Sequence, residues 1–197
     1  MDNSNFKTYL TSNLTMEEKD TLSLLESYPI KEVKKDTFLL RQNEHCKSTF
    51  FVESGLLRQY AIDSKGKEHT ISFAPENWLV TDRESVYFDQ PSAYNIQALE
   101  DSWVIIMGEN FLESLSEKIP SFTEFNNKLL HNHIRHLQNR IKHLLSSSAE
   151  ERYLEFVGMY PDILLRVPQA MIASYLGITP ESLSRVRKEL ARKNFKR

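Results

Sequence analysis

The 197-residue chain reads as an α+β protein: an N-terminal antiparallel β-roll of jelly-roll type, then a long helix, then a helix-turn-helix domain. Three observations carry this. Short β-branched and aromatic runs recur at intervals of roughly 8–12 residues between Ile30 and Met107, the rhythm of an antiparallel sandwich or roll. After Gly108 the period becomes helical, with large aliphatic residues at alternating steps of four and three from Leu130 onward. Between Val167 and Leu190, Pro168, Gly177 and Pro180 punctuate two short apolar-periodic stretches.

A first helix is expected from Thr15 to about Ser27, because Thr15 and Glu18 have capping-box spacing and Leu22 and Leu25 continue an apolar face; Leu10 and Leu14 extend it upstream. Strands are expected at 37–42, 49–53, 56–62, 69–73, 93–99 and 103–107. Ser54-Gly55 reads as a tight hairpin turn and Asp63 to Gly66 as a second. A short helix over Glu109–Lys118 ends before Pro120, and a long one runs from about Ser121 to Leu145.

Leu130, Ile134, Leu137, Ile141 and Leu144 have the a/d spacing of a coiled-coil seam, with Asn127 one heptad before Ile134. The stripe serves either self-pairing, giving a homodimer, or packing on the strand domain. Ser146 to Ser148 break the period, and Ser148 with Glu151 starts another helix whose apolar face holds Tyr153, Phe156 and Val157. The chain thus divides into a sensor-like roll (1–120), a dimerisation helix and hinge (121–147) and a helix-turn-helix domain (148–197).

In the last segment Pro168 suits a first helical position, Met171, Ile172 and Leu176 follow at helical spacing, and Gly177 supplies a left-handed stop. Thr179 caps the next helix, Pro180 sits at its first position, and Glu181 places negative charge at its positive end. Leu183, Val186 and Leu190 form the buried face. Ser182, Ser184, Arg185, Lys188 and Arg192 point away from it, with hydrogen-bonding groups first and cations further along. A DNA-reading helix needs that order, since its N-terminal side chains reach base edges while its flanks meet phosphates. A helical hairpin with a solvated charged face is the alternative. Eight cations against Glu181 and Glu189 leave +6 on residues 166–197, whereas the whole chain is −2, so residues 1–165 carry −8. One basic end on an acidic body suits a protein that presents one surface to a polyanion.

Other classes fit poorly. No apolar run approaches the ~18 residues of a membrane span, and the first residues lack a basic and apolar export signal, so a cytoplasmic protein is expected. Cys46 is the one cysteine, which rules out an intramolecular disulfide; beside Lys47 it is either a redox-sensing thiol or a small structural residue. No Gly-rich phosphate loop, Ser/His/Asp order or paired-carboxylate signature points to an enzyme. His45 and His69 do not form the His-x-His cluster of a cupin-like metal centre. His131, His133, His136 and His143 are denser, and His133 and His136, three apart, either hold a metal or haem across a dimer or merely flank the helical seam. No metal is expected.

With Phe51-Val-Glu-Ser-Gly-Leu-Leu-Arg-Gln-Tyr60, Gly66-Lys67 and Leu176-Gly-Ile-Thr-Pro-Glu-Ser-Leu-Ser-Arg-Val186, this order of elements resembles the Crp/Fnr family of bacterial transcription regulators over nearly the whole chain. The resemblance implies a homodimer with a cyclic-nucleotide-binding-like domain, a dimerisation helix, and a DNA-binding domain whose second helix enters the major groove. It implies double-stranded DNA, RNA polymerase and a small-molecule effector as partners, and no membrane. Glu181 and Arg185 match positions where the family reads bases, with Thr179, Pro180, Ser182 and Ser184 as neighbours, and Gln169 matches a backbone contact. Arginine suits guanine and glutamate can accept from cytosine N4. As a first-turn acid, Glu181 equally suits the helix dipole.

Three departures qualify the resemblance. Pro91 stands where cyclic-AMP-binding members carry arginine, and Arg83 is the only cation from Glu76 to Leu99, amid Glu76, Asp82, Glu84 and Asp89. The comparable effector region holds Trp78, Arg83, Glu84, Ser92 and Tyr94; cyclic AMP is not expected to bind there, because a buried anion needs a paired cation or several N–H donors. No cofactor is expected, and one cysteine cannot hold the family's iron–sulfur cluster. Asn43 replaces a turn glycine, which asparagine can do in the left-handed region. Only Asn194 to Arg197 follow the reading helix, so a full β-hairpin wing is not expected, leaving open a rival interaction module with weak or lost DNA binding.

Overall fold

A computed structural model describes residues 4–14, 28–108, 115–117 and 119–194 of the chain, the side chain of Asn194 excepted. The helix expected over 15–27 lies outside these residues, and within 109–118 only residues 115–117 are described, as helix.

The first described helix is α1 (Asn5–Asn13), which holds Leu10 as the upstream extension expected but ends before Leu14, its extended C-cap. Ser4 caps it, and the carboxylate of Glu53 accepts the N–H of Phe6 at 2.9 Å. Among the described residues eight strands follow: β1 (Ile30–Val33), β2 (Phe38–Leu40), β3 (Ser48–Ser54), β4 (Leu57–Ile62), β5 (Glu68–Ala74), β6 (Leu79–Val80), β7 (Asn95–Ala98) and β8 (Ser102–Gly108). They form two antiparallel four-stranded sheets of order β1-β8-β3-β6 and β2-β7-β4-β5. β1 and β6 were not picked out as separate runs, and neither was α2 (Arg83–Phe88), which is capped by Asp82.

The sheets face each other across Val33, Leu40, Phe50, Val52, Leu57, Ile96, Ala98 and Val104. Strand β3 is covered on both sides. Phe50 and Val52 enter the inter-sheet core, while Phe51 points the other way against Phe6, Leu10, Leu115 and Phe122. Alternation along a strand sends neighbours to opposite faces, so a continuous apolar triplet marks a doubly buried strand.

Asp63 to Gly66 is a hairpin turn joining the paired strands β4 and β5, with Gly66 N–H donating to Asp63 C=O at 2.9 Å. Ser54-Gly55 is not a hairpin, because β3 and β4 lie in different sheets. The turn is instead a corner between sheets. Gly55 has φ +98, and a Cβ there would lie 2.3 Å from Ser102 Oγ, so no other residue fits without displacement. Asn43 occupies the left-handed region at φ 72, as its turn requires.

Helix α3 (Phe122–Ser146) runs for 25 residues, about 37 Å at 1.5 Å per residue. Then come α4 (Ala149–Met159), α5 (Ile163–Arg166), α6 (Gln169–Leu176) and α7 (Pro180–Asn194). The capping box of Ser148 and Glu151 is fully formed at the start of α4.

Candidate nucleic-acid interface

Helices α6 and α7 meet at a sharp turn made by two local devices. Gly177 has φ 67 and ψ 34, and its N–H returns to α6, as does that of Ile178, which donates to Ala173 C=O at 3.0 Å. Thr179 then caps α7 by accepting the N–H of Ser182 at 3.2 Å. Pro168 is the N-cap of α6 with extended ψ of 142 rather than its first helical residue, so the helix begins at Gln169.

The α6–α7 pair closes over Ile172, Ala173, Leu176, Leu183 and Val186. The opposite face of α7 is open: Pro180, Glu181, Ser184, Arg185, Lys188 and Arg192 are exposed, as are Thr179 and Gln169, while Ser182 is half-buried. Glu181, Arg185, Lys188 and Arg192 follow at steps of four and three and so share one stripe. Its three cations make no salt bridge among the described residues. The N–H of Glu181 itself, then the Thr179 hydroxyl, hold the Glu181 carboxyl below its ordinary value, keeping it an acceptor at the helix end that faces outward.

Two cations of the basic tail are committed elsewhere. Arg166 bonds Glu76 through Nη1 at 3.0 Å and Nη2 at 2.9 Å, and also pairs with Glu100. Lys193 pairs with Glu150 at 2.7 Å. The +6 counted along the tail therefore overstates what the surface presents. Charge counting along a chain cannot see partners 90 and 43 residues away.

The domain carrying α7 is docked on β5, an edge strand. Ser174 Oγ accepts the N–H of Thr70 at 2.9 Å and donates to Glu68 C=O at 3.1 Å. Arg140 of α3 donates through Nη2 to Tyr175 C=O at 3.0 Å and Thr70 C=O at 3.3 Å, with its guanidinium 3.7 Å from the Tyr175 ring centroid. These contacts satisfy backbone groups that an edge strand otherwise leaves open. Nothing in the local sequence signalled them.

On α3 the seam stays uncovered within one chain: Ile134 is 49% exposed, Leu137 40%, Ile141 56% and Leu144 43%, with Leu130 half-buried and Asn127 exposed. The histidines lie off that seam. His136 packs edge-on against Trp78 with ring centroids 6.3 Å apart, and His143 pairs with Glu155 at 3.1 Å. Burial, then Arg83 and His136, hold the imidazole of His133 below its ordinary value; burial, then Arg140, does so for His136. No cluster of three metal-ligating side chains occurs among the described residues. A cavity of about 30 Å³ at the junction of α3, α4 and α6 is lined by His136, Arg140, His143 and Arg152 among others. That is room for water rather than a nucleotide.

Of the residues singled out around the effector region, Ser92, Tyr94 and Glu84 gather around Asp82, beside Arg83, whereas Trp78 packs toward the C-terminal helices. Trp78 stacks on Tyr160, 5.4 Å between centroids, in the core shared with the C-terminal helices. Ser92 is buried, donates to Asp82 Oδ2 at 2.6 Å and accepts the Tyr94 N–H at 3.0 Å. Asp82, only 3% exposed, accepts the N–H groups of Glu84 and Ser85 through its other oxygen. A carboxylate of the protein itself thus takes up these donors. Arg83 and Tyr94 are half-buried, Glu84 and Pro91 exposed. Cys46 is buried, with its thiol donating to Ser48 C=O at 3.2 Å.

Comparison with known proteins agrees with this architecture. Residues 30–118 match the model of the cyclic nucleotide-binding domain. The chain is 29% identical over 167 residues to the fumarate and nitrate reduction regulatory protein of Vibrio cholerae, covering 79% of this chain and 66% of that protein. It therefore spans just under two thirds of that relative's length. Among solved structures, FixK2 from Bradyrhizobium japonicum superposes with a TM-score of 0.73 at 19% identity, covering 85% of this chain and 86% of that one. A CooA mutant from Carboxydothermus hydrogenoformans gives 0.71 at 20% identity over 98% and 86%. With the roll, the long helix and the helix-turn-helix in the same order, the chain shares the fold of these solved structures and is similar to regulators of the Crp/Fnr type.

Proposed function

We propose that the protein is a sequence-specific, DNA-binding transcription regulator that acts as a homodimer and does not respond to cyclic AMP. One observation carries the reading: the outward stripe of α7, Glu181-Arg185-Lys188-Arg192, presents three cations that no protein carboxylate neutralises among the described residues. In the major groove Arg185 contacts a guanine edge, Glu181 accepts from cytosine N4, and Lys188 and Arg192 meet phosphates. Ser182, Ser184, Thr179 and Pro180 flank the read bases, and Gln169 meets the backbone at the start of α6. The name of the Vibrio cholerae relative, a regulatory protein, supports the class. RNA polymerase is the partner through which such a protein would act.

Paired along α3, two copies offer two reading helices to half-sites about one duplex turn apart. The test is footprinting of the full chain on genomic DNA, followed by titration of the protected fragment with Arg185→Ala. Loss of one bidentate arginine–guanine contact costs about 1–3 kcal/mol, roughly 5- to 150-fold, and relaxes the preference at that base pair. Equally weak binding to all DNA by the wild type would instead identify an interaction module.

A further inference from the structure

The helix-turn-helix has no closed core of its own. Leu56 and Phe73 of the roll are fully buried in the same cluster as Tyr153, Phe156, Tyr160 and Tyr175. The ring of Phe73 lies 5.7 Å from Tyr175 and 6.1 Å from both Phe156 and Tyr160. Linked domains move freely unless their contact is large and apolar, and this contact is apolar at its centre.

At the rim, Arg166 closes a clamp. It reaches Glu76 with two nitrogens and Glu100 with Nε at 3.3 Å and with Nη2. The roll holds both acceptors in place. Glu76 accepts the N–H of Gly55 at 3.0 Å, and the backbone of Glu100 accepts the Ser102 hydroxyl at 2.8 Å. Arg166 ends α5, three residues before Gln169 begins α6. Its anchoring therefore sets the angle of α6 and, through the rigid Gly177 turn, that of α7. Ser174 on β5 supplies another anchor, so the helix pair is held at separate places on the roll.

We infer that Arg166 is a positioning residue for DNA recognition: clamped between Glu76 and Glu100, it fixes the reading helix on the roll and so sets the half-site spacing a dimer accepts. The inference rests on the DNA-binding reading above. The charge of Arg166 serves geometry rather than phosphate contact.

The experiment uses the full chain and a half-site selected by the wild-type protein from random duplexes, placed in pairs whose separation is varied by single base pairs. Hydrogen exchange at the Thr70 amide is followed in parallel without DNA. The wild type should prefer one spacing by roughly tenfold over neighbours two base pairs away, because rigid dimers read geometry. Arg166→Ala should flatten that preference to within about threefold and speed Thr70 exchange. Arg166→Lys should recover only part of the preference, since an ammonium lacks the planar fork that serves two carboxylates. If Arg166→Ala does not fold, Glu100→Gln carries the test, with an intermediate flattening expected. A preserved spacing preference, or Thr70 exchange as slow as in the wild type, overturns the inference. If the wild type selects no DNA, the DNA reading fails on its own, and the exchange measurement still decides whether the clamp holds the domain.

Discussion

Ser174 of α6 and Thr70 of β5 are joined across 104 residues of sequence by one 2.9 Å hydrogen bond, the Thr70 N–H donating to the serine hydroxyl. The side chain of Thr70 is taken as well, by Arg58 Nε at 3.0 Å, and Arg58 in turn pairs with Glu68 at 2.7 Å. The edge of the roll, its buried arginine and the first helix of the helix-turn-helix thus form one connected polar network.

Ser174→Ala tests that network. The substitution leaves the Thr70 N–H and the Glu68 carbonyl without their present partner. An orphaned buried donor costs about 1–3 kcal/mol, and partial access of water at Glu68 favours the lower end. Urea unfolding should show a lower midpoint with little change in slope. A midpoint within error of the wild type would mean that water replaces the hydroxyl at no cost.

Dimerisation is expected to depend on the α3 seam. Ile134 and Ile141 are 49% and 56% exposed in one chain, so replacing both with aspartate should leave the monomer fold intact. Each change places charge where the proposed partner helix must pack, and an uncompensated charge in such a seam costs several kcal/mol. Sedimentation should therefore show a dimer for the wild type and a monomer for the double variant. A variant that sediments as the wild type does would place the subunit contact elsewhere.

The same residues explain what the sequence could and could not reveal. The turn at Gly177, the cap at Thr179 and the stripe from Glu181 to Arg192 are local signals, each set by residues within a few positions, and the structure forms them as expected apart from the one-residue shift at Pro168. Gly55 misled for the opposite reason. A Ser-Gly pair between two apolar runs looks like a hairpin, but only the strand pairing shows that the runs enter different sheets. The docking of α6 on β5 was invisible, because Ser174 and Thr70 carry no mark of each other. Arg166 counts toward the basic tail by sequence, but Glu76 and Glu100, remote in sequence, lie beside it and take up its charge. Short elements such as β6 and α2 fell below the length at which a period can be recognised.

Acid should weaken the Arg166 clamp through Glu76. Burial alone pushes the Glu76 carboxyl up, but the hydrogen bonds from Arg166 and the backbone outweigh it and hold the group below its ordinary value of 4.5. A carboxyl with a depressed folded value contributes stability above its unfolded value and loses it as pH falls through the folded one. Stability should thus decline below about pH 4.5 in part through this residue. In Glu76→Gln the decline should be shallower, while the variant is less stable at pH 7. Thermal unfolding at pH 7, 5, 4 and 3.5 measures both effects, and parallel curves for the two proteins would remove Glu76 from the acid response.

Cyclic AMP is expected to give no binding heat with the wild type at micromolar protein. A cyclic phosphate needs a cation or a set of free N–H donors. By the resemblance drawn from the sequence, Pro91 stands where cyclic-AMP-binding members carry arginine, and the buried Asp82 carboxylate already takes the N–H groups of Glu84 and Ser85 and the hydroxyl of Ser92. Supplying the missing cation alone should not suffice, because Asp82 remains as a buried negative charge with its donors engaged. Pro91→Arg should therefore stay silent in calorimetry, with the new guanidinium pairing with a nearby carboxylate. Pro91→Arg combined with Asp82→Asn removes the charge and frees a hydroxyl, so it is the variant in which weak binding should first appear. Stoichiometric, tight binding by the unmodified protein would show that Asp82 yields to the phosphate, contrary to the hydrogen bonds it makes.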